Sequence, residues 1–195
     1  VSLDSTPIAL DTYSALYNIP ASTHSPIERI KFELCRNVYR DAAFLLPWSW
    51  LARESLIADY GIDAERMNVV PPGIDLSFWD RTVSPPATKR LNILFVGGDF
   101  LRKGGDLLCR IARRQEFKQC NFHFVTWGEN GASGENMFVH THLTPNSSGL
   151  RDLYGQADIF VLPTRGDFSP VSVCEAMAMH LPVITSNIGG LGELI

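Results

Sequence analysis

Asp167, Ser169, Pro170 and Glu175 are the residues whose types and spacing could do chemistry. Ser169-Pro170 reads as a helix start, with serine as N-cap and proline at the first helical position. A helix N-terminus presents unpaired backbone N–H groups and a partial positive charge, which suit a phosphate. Glu175 follows Pro170 by five residues, about 7.5 Å along a helix axis. That is similar to the span from the phosphates of a nucleoside diphosphate to its ribose. A carboxylate there can accept two hydrogen bonds from a ribose diol. Asp167, before the cap, can meet a group attached beyond the phosphates. One loop and one helix can therefore hold a nucleotide sugar lengthwise. The same residues also fit an ordinary helix–strand unit with a capped start and a solvated glutamate, and spacing alone does not choose.

The elements around these residues follow from patterning. Residues 158–163 are a short apolar run ending in proline, and 165–168 are a polar loop. A helix is expected over 171–180, stopped by Pro182. Val183-Ile184-Thr185 is β-branched and suits a buried strand. Upstream, residues 91–96 form a near-continuous apolar run, as in a parallel strand covered on both faces. A glycine turn at 97–105 then opens a helix from Asp106 to about Arg114. Strand, glycine turn and helix make the architecture of a phosphate site, although the turn is neither a GxGxxG nor a P-loop. Further strands are expected over 121–127 and 138–141, with a glycine-rich loop over 128–134 between them. His140 and His142 alternate across the second of these, but two histidines without a third ligand make a weak metal site. Ser147-Ser148 cap a short helix that turns Leu150, Leu153 and Tyr154 inward.

The first part of the chain reads similarly. Ser25-Pro26 starts a helix with Glu28 early and Arg40 late, as the helix dipole favours. Ile30, Leu34 and Val38 form an apolar stripe at helical spacing and are expected in the core, with Cys35. A short strand over 42–46 leads to a helix ending near Gly61, with Ser49 as its cap and Trp48 and Trp50 as packing residues. Residues 67–70 form a strand that leaves through Pro71-Pro72-Gly73, and Asp75 reads as a turn residue. Residues 81–90, RTVSPPATKR, are polar, proline-containing and without periodicity. They are the linker candidate, between one part over 1–80 and another over 91–195.

Composition narrows the classes. A net charge of −4 argues against a nucleic-acid binder, which usually carries a basic face. The four cysteines form no C-x-x-C pair and read as reduced thiols of a cytoplasmic protein. No apolar run is long enough to cross a membrane, and no basic amphipathic helix is visible. The chain opens on Val1-Ser2-Leu3-Asp4, which reads like the end of a strand, and stops at Ile195 inside what reads as a helix, so it reads as a fragment.

Asp167-x7-Glu175, followed by Ala176-Met177-Ala178, Leu181-Pro182-Val183-Ile184 and Gly189-Gly190-Leu191-Gly192-Glu193, resembles the signature of the retaining glycosyltransferases of family 4. That family usually reads Glu-x7-Glu, EAMA-x-G-x-PVI and GG-x-x-E. This chain departs at Asp167 and at His180, where the family has Glu and Gly. The segment VVPPGID, residues 69–75, resembles the family's interdomain turn, and 96–104 resembles its V-G-R-x-x-x-x-K-G stretch. The family's Arg position is Gly98, Lys103 is kept, and the adjacent Arg102 is the candidate to replace the missing charge.

The resemblance implies a GT-B type α/β fold: the tail of an N-terminal Rossmann-like domain and most of a C-terminal Rossmann-like domain with a parallel sheet. It implies transfer of a sugar from a nucleotide-diphosphate sugar to an acceptor with retention of configuration. Donor contacts would come from Gly97, Gly98, Lys103, His142, Leu143, Asp167, Phe168, Ser169, Pro170, Val171 and Glu175. Lys103, Arg102 and Asp167 would act on the reacting groups, with no metal or other cofactor. The acceptor would be a sugar, a lipid-linked molecule or a small molecule, which leaves open a peripheral contact at the inner face of the cytoplasmic membrane. The alternatives are a same-fold nucleotide-sugar epimerase or phosphorylase, a nucleotide-sugar-binding module without turnover, and an αβ protein with no ligand.

Overall fold

A computed structural model describes residues 1–11, 13–17, 25–80, 90–127 and 131–195. The linker expected over 81–90 lies outside these residues except for Arg90, and so do residues 128–130 of the expected glycine-rich loop. Contacts group the chain into two compact units. One is Val1–Pro72 with Gly166–Ser169 and Ile188–Ile195; the other is Gly73–Arg165 with Pro170–Asn187.

In the first unit, β1 (Ser2–Leu3) and α1 (Pro7–Asp11) are followed by α2 (Pro26–Asp41), β2 (Leu46–Pro47) and α3 (Trp50–Ala58). The strands β1 and β2 pair in parallel, and Met67 bridges Leu45 on the next extended segment. The start of α2 is the capping box its sequence promises, with Ser25 Oγ accepting from Glu28 N–H and Glu28 reaching back to the Ser25 N–H. The stripe expected in the core is not there: Ile30, Leu34 and Val38 are 56–60 % exposed, and Ile27 beside them is 65 % exposed. The helix is apolar on two faces, and the one bearing aromatic rings packs inward. Phe32 stacks on Tyr60 at 4.9 Å, and Tyr39 meets Tyr60 edge-on at 5.1 Å. Cys35 goes with that face, against a core of Leu45, Leu56, Ile62 and Met67. Trp50, expected to pack, is exposed beneath the Arg53 guanidinium. Asp75, at the start of the second unit, accepts from the Ser77 N–H and hydroxyl, as a turn residue does.

The second unit is a five-stranded parallel sheet in the order β5-β4-β3-β6-β7. Its elements are β3 (Asn92–Val96), α4 (Gly105–Ala112), β4 (Asn121–Val125), β5 (Met137–His140), α5 (Ser148–Gln156), β6 (Ile159–Leu162), α6 (Val171–Ala178) and β7 (Val183–Thr185). The central strands are buried: Leu94, Phe95, Phe122, Phe124, Phe160 and Leu162 carry the core, as continuous apolar runs in a covered parallel sheet should. The β7 strand, expected to be buried, is an edge strand with Ile184 turned outward. The Asp158 carboxylate accepts the Asn92 N–H at 2.8 Å, tying the start of β6 to the start of β3.

Candidate donor site

Strand β3 connects through α4 to β4 on one side, while its other neighbour is β6. Beyond the carboxyl ends of such a strand pair lies the switch point where open α/β sheets take ligands. The loop after β3 supplies Gly97, Gly98, Arg102 and Lys103, and the chain after β6 leads through Pro170 into α6.

The glycines of the first loop are dictated by close approach. Gly104 lies at φ +81°, and a Cβ on it would stand 2.0 Å from the Pro163 carbonyl oxygen. A Cβ on Gly105 would stand 2.3 Å from the Phe100 ring, and one on Gly97 2.9 Å from Lys103 Cβ. At Gly98 the Trp127 ring fills the space, 2.6 Å from where a Cβ would be. Gly98 and Trp127 therefore form a pair, which gives a packing reason for glycine at a position where the resembled family carries arginine.

Hydrogen bonds join this loop to the one after β6. The Arg165 N–H donates to the Arg102 carbonyl at 2.8 Å, and its guanidinium clasps Asp106 with two bonds of 2.6 and 2.8 Å. Arg165 holds the Asp106 carboxyl below its ordinary range, chiefly through these hydrogen bonds. The Arg102 side chain is largely covered and paired with Asp99 at 3.1 Å. Sequence reading missed Arg165 as a strut between loops, because its partner lies 59 residues away.

The start of α6 differs from expectation by one residue. Pro170 is the N-cap, at φ −67° and ψ 114°, and the helix begins at Val171. A proline φ suits either position; the extended ψ puts Pro170 outside, with its carbonyl accepting the Val173 N–H at 3.0 Å. Ser169, expected as the cap, makes no cap bond, and its buried Oγ has no hydrogen-bond partner among the described residues. No side chain caps α6, so the Val171 and Ser172 N–H groups meet no acceptor among the described residues.

The far end of α6 accounts for a second departure. The expected helix to His180 stops at Ala178, and His180 takes φ +55°. Its N–H donates to Met177 and the Leu181 N–H to Ala176, the paired bonds of a Schellman ending. That conformation favours glycine, the residue the resembled family carries there.

Glu175 is buried, not solvated. Its Oε2 accepts the Tyr154 hydroxyl at 2.8 Å, and that hydroxyl also lies 3.1 Å from the Ser172 carbonyl. Its other oxygen accepts nothing among the described residues. Burial pushes the Glu175 carboxyl above its ordinary value, and the Tyr154 bond pulls the other way. Tyr154 in turn is fixed edge-on to Trp79 and stacked on Phe160. Sequence reading turned Tyr154 inward without identifying its partner. A tyrosine on the apolar face of a helix, needing a buried partner for its hydroxyl, was the available signal. At the end of β5, His142 is exposed while Leu143 packs on the core.

Asp167, Phe168 and Ser169 are buried and group with the first unit. There Phe168 meets Tyr13 edge-on at 5.5 Å, and its carbonyl accepts the Gly190 N–H at 3.1 Å. The Phe168 N–H donates to Asp167 Oδ1 at 3.0 Å.

Among the described residues, no group of three or more His, Cys, Asp and Glu side chains is placed to hold a metal ion, and no helix is long and apolar enough to cross a membrane. All four cysteines are free, with Cys109 and Cys120 buried.

Residues 90–195 match the family described as "Glycosyl transferases group 1". Among curated relatives, a D-inositol 3-phosphate glycosyltransferase of Xylanimonas cellulosilytica is 29 % identical over 171 residues, covering 73 % of this chain and 40 % of that protein. The mannosylfructose-phosphate synthase of Agrobacterium fabrum is 26 % identical over 221 residues, covering 97 % of this chain and 45 % of its own length. The chain thus spans less than half the length of these relatives. Among solved structures, a sucrose-phosphate synthase from Thermosynechococcus elongatus aligns with a TM-score of 0.68 at 18 % identity, over 97 % of this chain and 50 % of its own. WaaG, a glycosyltransferase of lipopolysaccharide biosynthesis, aligns with a TM-score of 0.64 at 19 % identity, over 77 % of this chain and 46 % of its own. The fold is that of the GT-B glycosyltransferases, as expected from the sequence motifs.

Proposed function

The chain belongs to the group 1 glycosyl transferases, and from that premise we propose that it binds a nucleotide-diphosphate sugar and, in the whole protein, transfers the sugar to an acceptor with retention of configuration. One observation carries the reading. Helix α6 has an uncapped amide end at the switch point, and the same helix carries a buried glutamate with one oxygen unclaimed among the described residues.

In this reading the diphosphate rests on the Val171 and Ser172 N–H groups, with the Ser169 hydroxyl, which has no partner among the described residues, one residue before the cap. Glu175 accepts from the ribose, with Tyr154 fixing the carboxylate. Gly97 and Gly98 let the backbone come close to the phosphates, while His142 and Leu143 flank the base. Asp167 holds hydroxyls of the donor sugar, with Phe168 and Pro170 shaping the loop.

As the bond to the sugar breaks, its electron pair leaves with the diphosphate. Lys103 and the amide end of α6 meet that growing charge, in the manner of preorganised dipoles and cations at a leaving group. Arg102 adds less, because Asp99 offsets it. The acceptor oxygen attacks the same face of the sugar and passes its proton to the departing diphosphate oxygen, which accounts for retention without a carboxylate nucleophile. The reaction so drawn calls for no metal and no other cofactor. A cytoplasmic setting suits both a nucleotide-sugar donor and four free thiols. The names of the two relatives favour a small phosphorylated acceptor over a lipid-linked one or a membrane surface.

Thermal unfolding with UDP, GDP, ADP, inorganic pyrophosphate and the free nucleosides tests the reading. At a hundred-fold excess over Kd, one nucleoside diphosphate should raise the midpoint by about 5–10 °C. Pyrophosphate should do less and the nucleosides least. No shift with any nucleoside diphosphate would contradict the reading.

A further inference from the structure

Helix α3 begins with no acidic residue in its first turn, although a negative charge there would be favoured by the helix dipole. Glu193, more than 140 residues away, supplies it. The Trp50 N–H donates to Glu193 Oε2 at 2.6 Å and the Leu51 N–H to Oε1 at 3.1 Å. Ser49 Oγ takes the next amide, that of Ala52, at 3.1 Å. Ser49 and Glu193 together satisfy three of the four amides that a helix start leaves open.

Glu193 reaches α3 from the glycine turn at 189–190, through the 3-10 turn Leu191–Glu193 and the fully buried Leu191. That turn lies against the backbone of Asp167 and Phe168. Gly189 lies at φ +55°, and a Cβ on it would stand 1.9 Å from the Asp167 carbonyl oxygen. A Cβ on Gly190 would stand 2.7 Å from the Phe168 carbonyl oxygen and 2.9 Å from Ser49 Cβ. The Gly190 N–H donates to that Phe168 carbonyl, and the Gly189 N–H to the Tyr13 hydroxyl at 3.2 Å. A continuous line therefore runs from the α3 amide end through Glu193 and the glycine turn to the loop carrying Asp167, all within the first unit.

We infer that Glu193 is a positioning residue for that loop: its carboxylate pins the glycine turn to α3, and the turn fixes the backbone of Asp167 and Phe168. The inference rests on the proposal that Asp167 contacts the donor sugar. It explains why two glycines, a two-residue spacer and a glutamate belong together. The glycines permit backbone-to-backbone contact, and the glutamate closes the turn onto a helix that lacks its own acidic cap.

The test compares the full chain with its Glu193→Ala, Glu193→Gln and Glu54→Ala variants, Glu54 being a carboxylate of α3 outside this line. Amide exchange at Trp50 and Leu51 should speed up about five- to ten-fold in Glu193→Ala, the size of losing one net hydrogen bond at each, and exchange at Gly190 should speed up with it as the released turn loosens its bond to the Phe168 carbonyl. It should speed up less in Glu193→Gln, which keeps one acceptor, and not at all in Glu54→Ala. The second readout is the ratio of affinities for a nucleotide sugar (UDP-glucose, GDP-mannose or ADP-glucose) and its nucleoside diphosphate. Glu193→Ala should lower that ratio several-fold and leave nucleoside diphosphate affinity within two-fold of the parent, as loss of a contact made only by the sugar would. Unchanged exchange at Gly190 would overturn the inference, as would faster exchange with an unchanged ratio. If the parent binds no nucleoside diphosphate, the donor-site reading fails instead, and exchange at Gly190 still decides whether Glu193 holds the turn.

Discussion

The Tyr154 hydroxyl donates to Glu175 Oε2 at 2.8 Å, and it is the one bond from the described residues to this buried carboxylate. The tyrosine comes from α5 and the glutamate from α6, so two helices set the direction in which the unclaimed oxygen points. A carboxylate held this way keeps one oxygen for a ligand and is already largely desolvated before the ligand arrives.

Removing that bond should move a titration. Burial raises the Glu175 carboxyl above its ordinary value, and the Tyr154 bond opposes the rise. The ionised form is the one that accepts from a ribose, so nucleoside diphosphate affinity should fall as pH drops through the raised value. Tyr154→Phe leaves burial unopposed, and the midpoint of that fall should move to higher pH. Titration calorimetry from pH 8 to 5 on both proteins measures it; coincident midpoints would remove Tyr154 from the account.

The histidines of the sheet predict acid sensitivity. His123 Nδ1 lies 3.2 Å from His140 Nε2, and the His123 ring stacks on Phe138. Burial and then the neighbouring His140 lower the His123 pKa to about 4, and burial and then His142 lower that of His140. Both groups are neutral in the folded protein at pH values where the unfolded chain takes up protons. Their contribution is therefore complete above the ordinary value of 6.5 and is lost as pH falls from there toward about 4. Thermal midpoints at pH 7.5 and pH 5 should differ in the parent, and differ less in His123→Gln.

Two glycines with similar backbones should respond differently to a methyl group. Gly104 and Gly131 lie at φ +81° and +68°, but a Cβ on Gly104 would collide with the Pro163 carbonyl, whereas one on Gly131 meets nothing within 4 Å among the described residues. Gly131→Ala should cost about 1 kcal/mol, the strain of a left-handed residue. Gly104→Ala should cost about 3 kcal/mol or more, since a backbone collision is added. Urea unfolding of the two variants gives the comparison.

The reversal of faces on α2 makes a third contrast. Leu34 is exposed and Tyr39 is buried against Tyr60. Leu34→Lys should change stability by about 0.5 kcal/mol or less, as surface changes do. Tyr39→Ala should cost about 3 kcal/mol, as removal of a large core aromatic does. Equal costs would mean that the exposed stripe is covered in solution.

What the sequence disclosed, and what it withheld, follows from the range of each interaction. Strands β3 and β6 were legible because continuous apolar runs suit a covered parallel sheet, and the capping box at Ser25 and Glu28 because it closes within four residues. The buried face of α2 was not legible, since Ile30-Leu34-Val38 and Phe32-Cys35-Tyr39 both repeat at helical spacing and only Tyr60 decides between them. The start of α6 slipped by one residue because proline φ is the same on either side of a helix boundary. The partners of Glu175, Asp106 and Glu193 come from 21, 59 and more than 140 residues away, beyond any local pattern.

The central claim is that a nucleoside diphosphate sits on α6 with its ribose on Glu175. Titration calorimetry of the parent and Glu175→Gln with the nucleoside diphosphate that stabilises the parent tests it most directly. The raised carboxyl costs the folded state stability above its pKa, so the neutral glutamine should leave the thermal midpoint at pH 7.5 equal or higher. Affinity should nevertheless fall about ten- to a hundred-fold, the size of losing hydrogen bonds to a charged group. A glutamine variant that is as stable as the parent and binds the nucleotide equally well would contradict the claim.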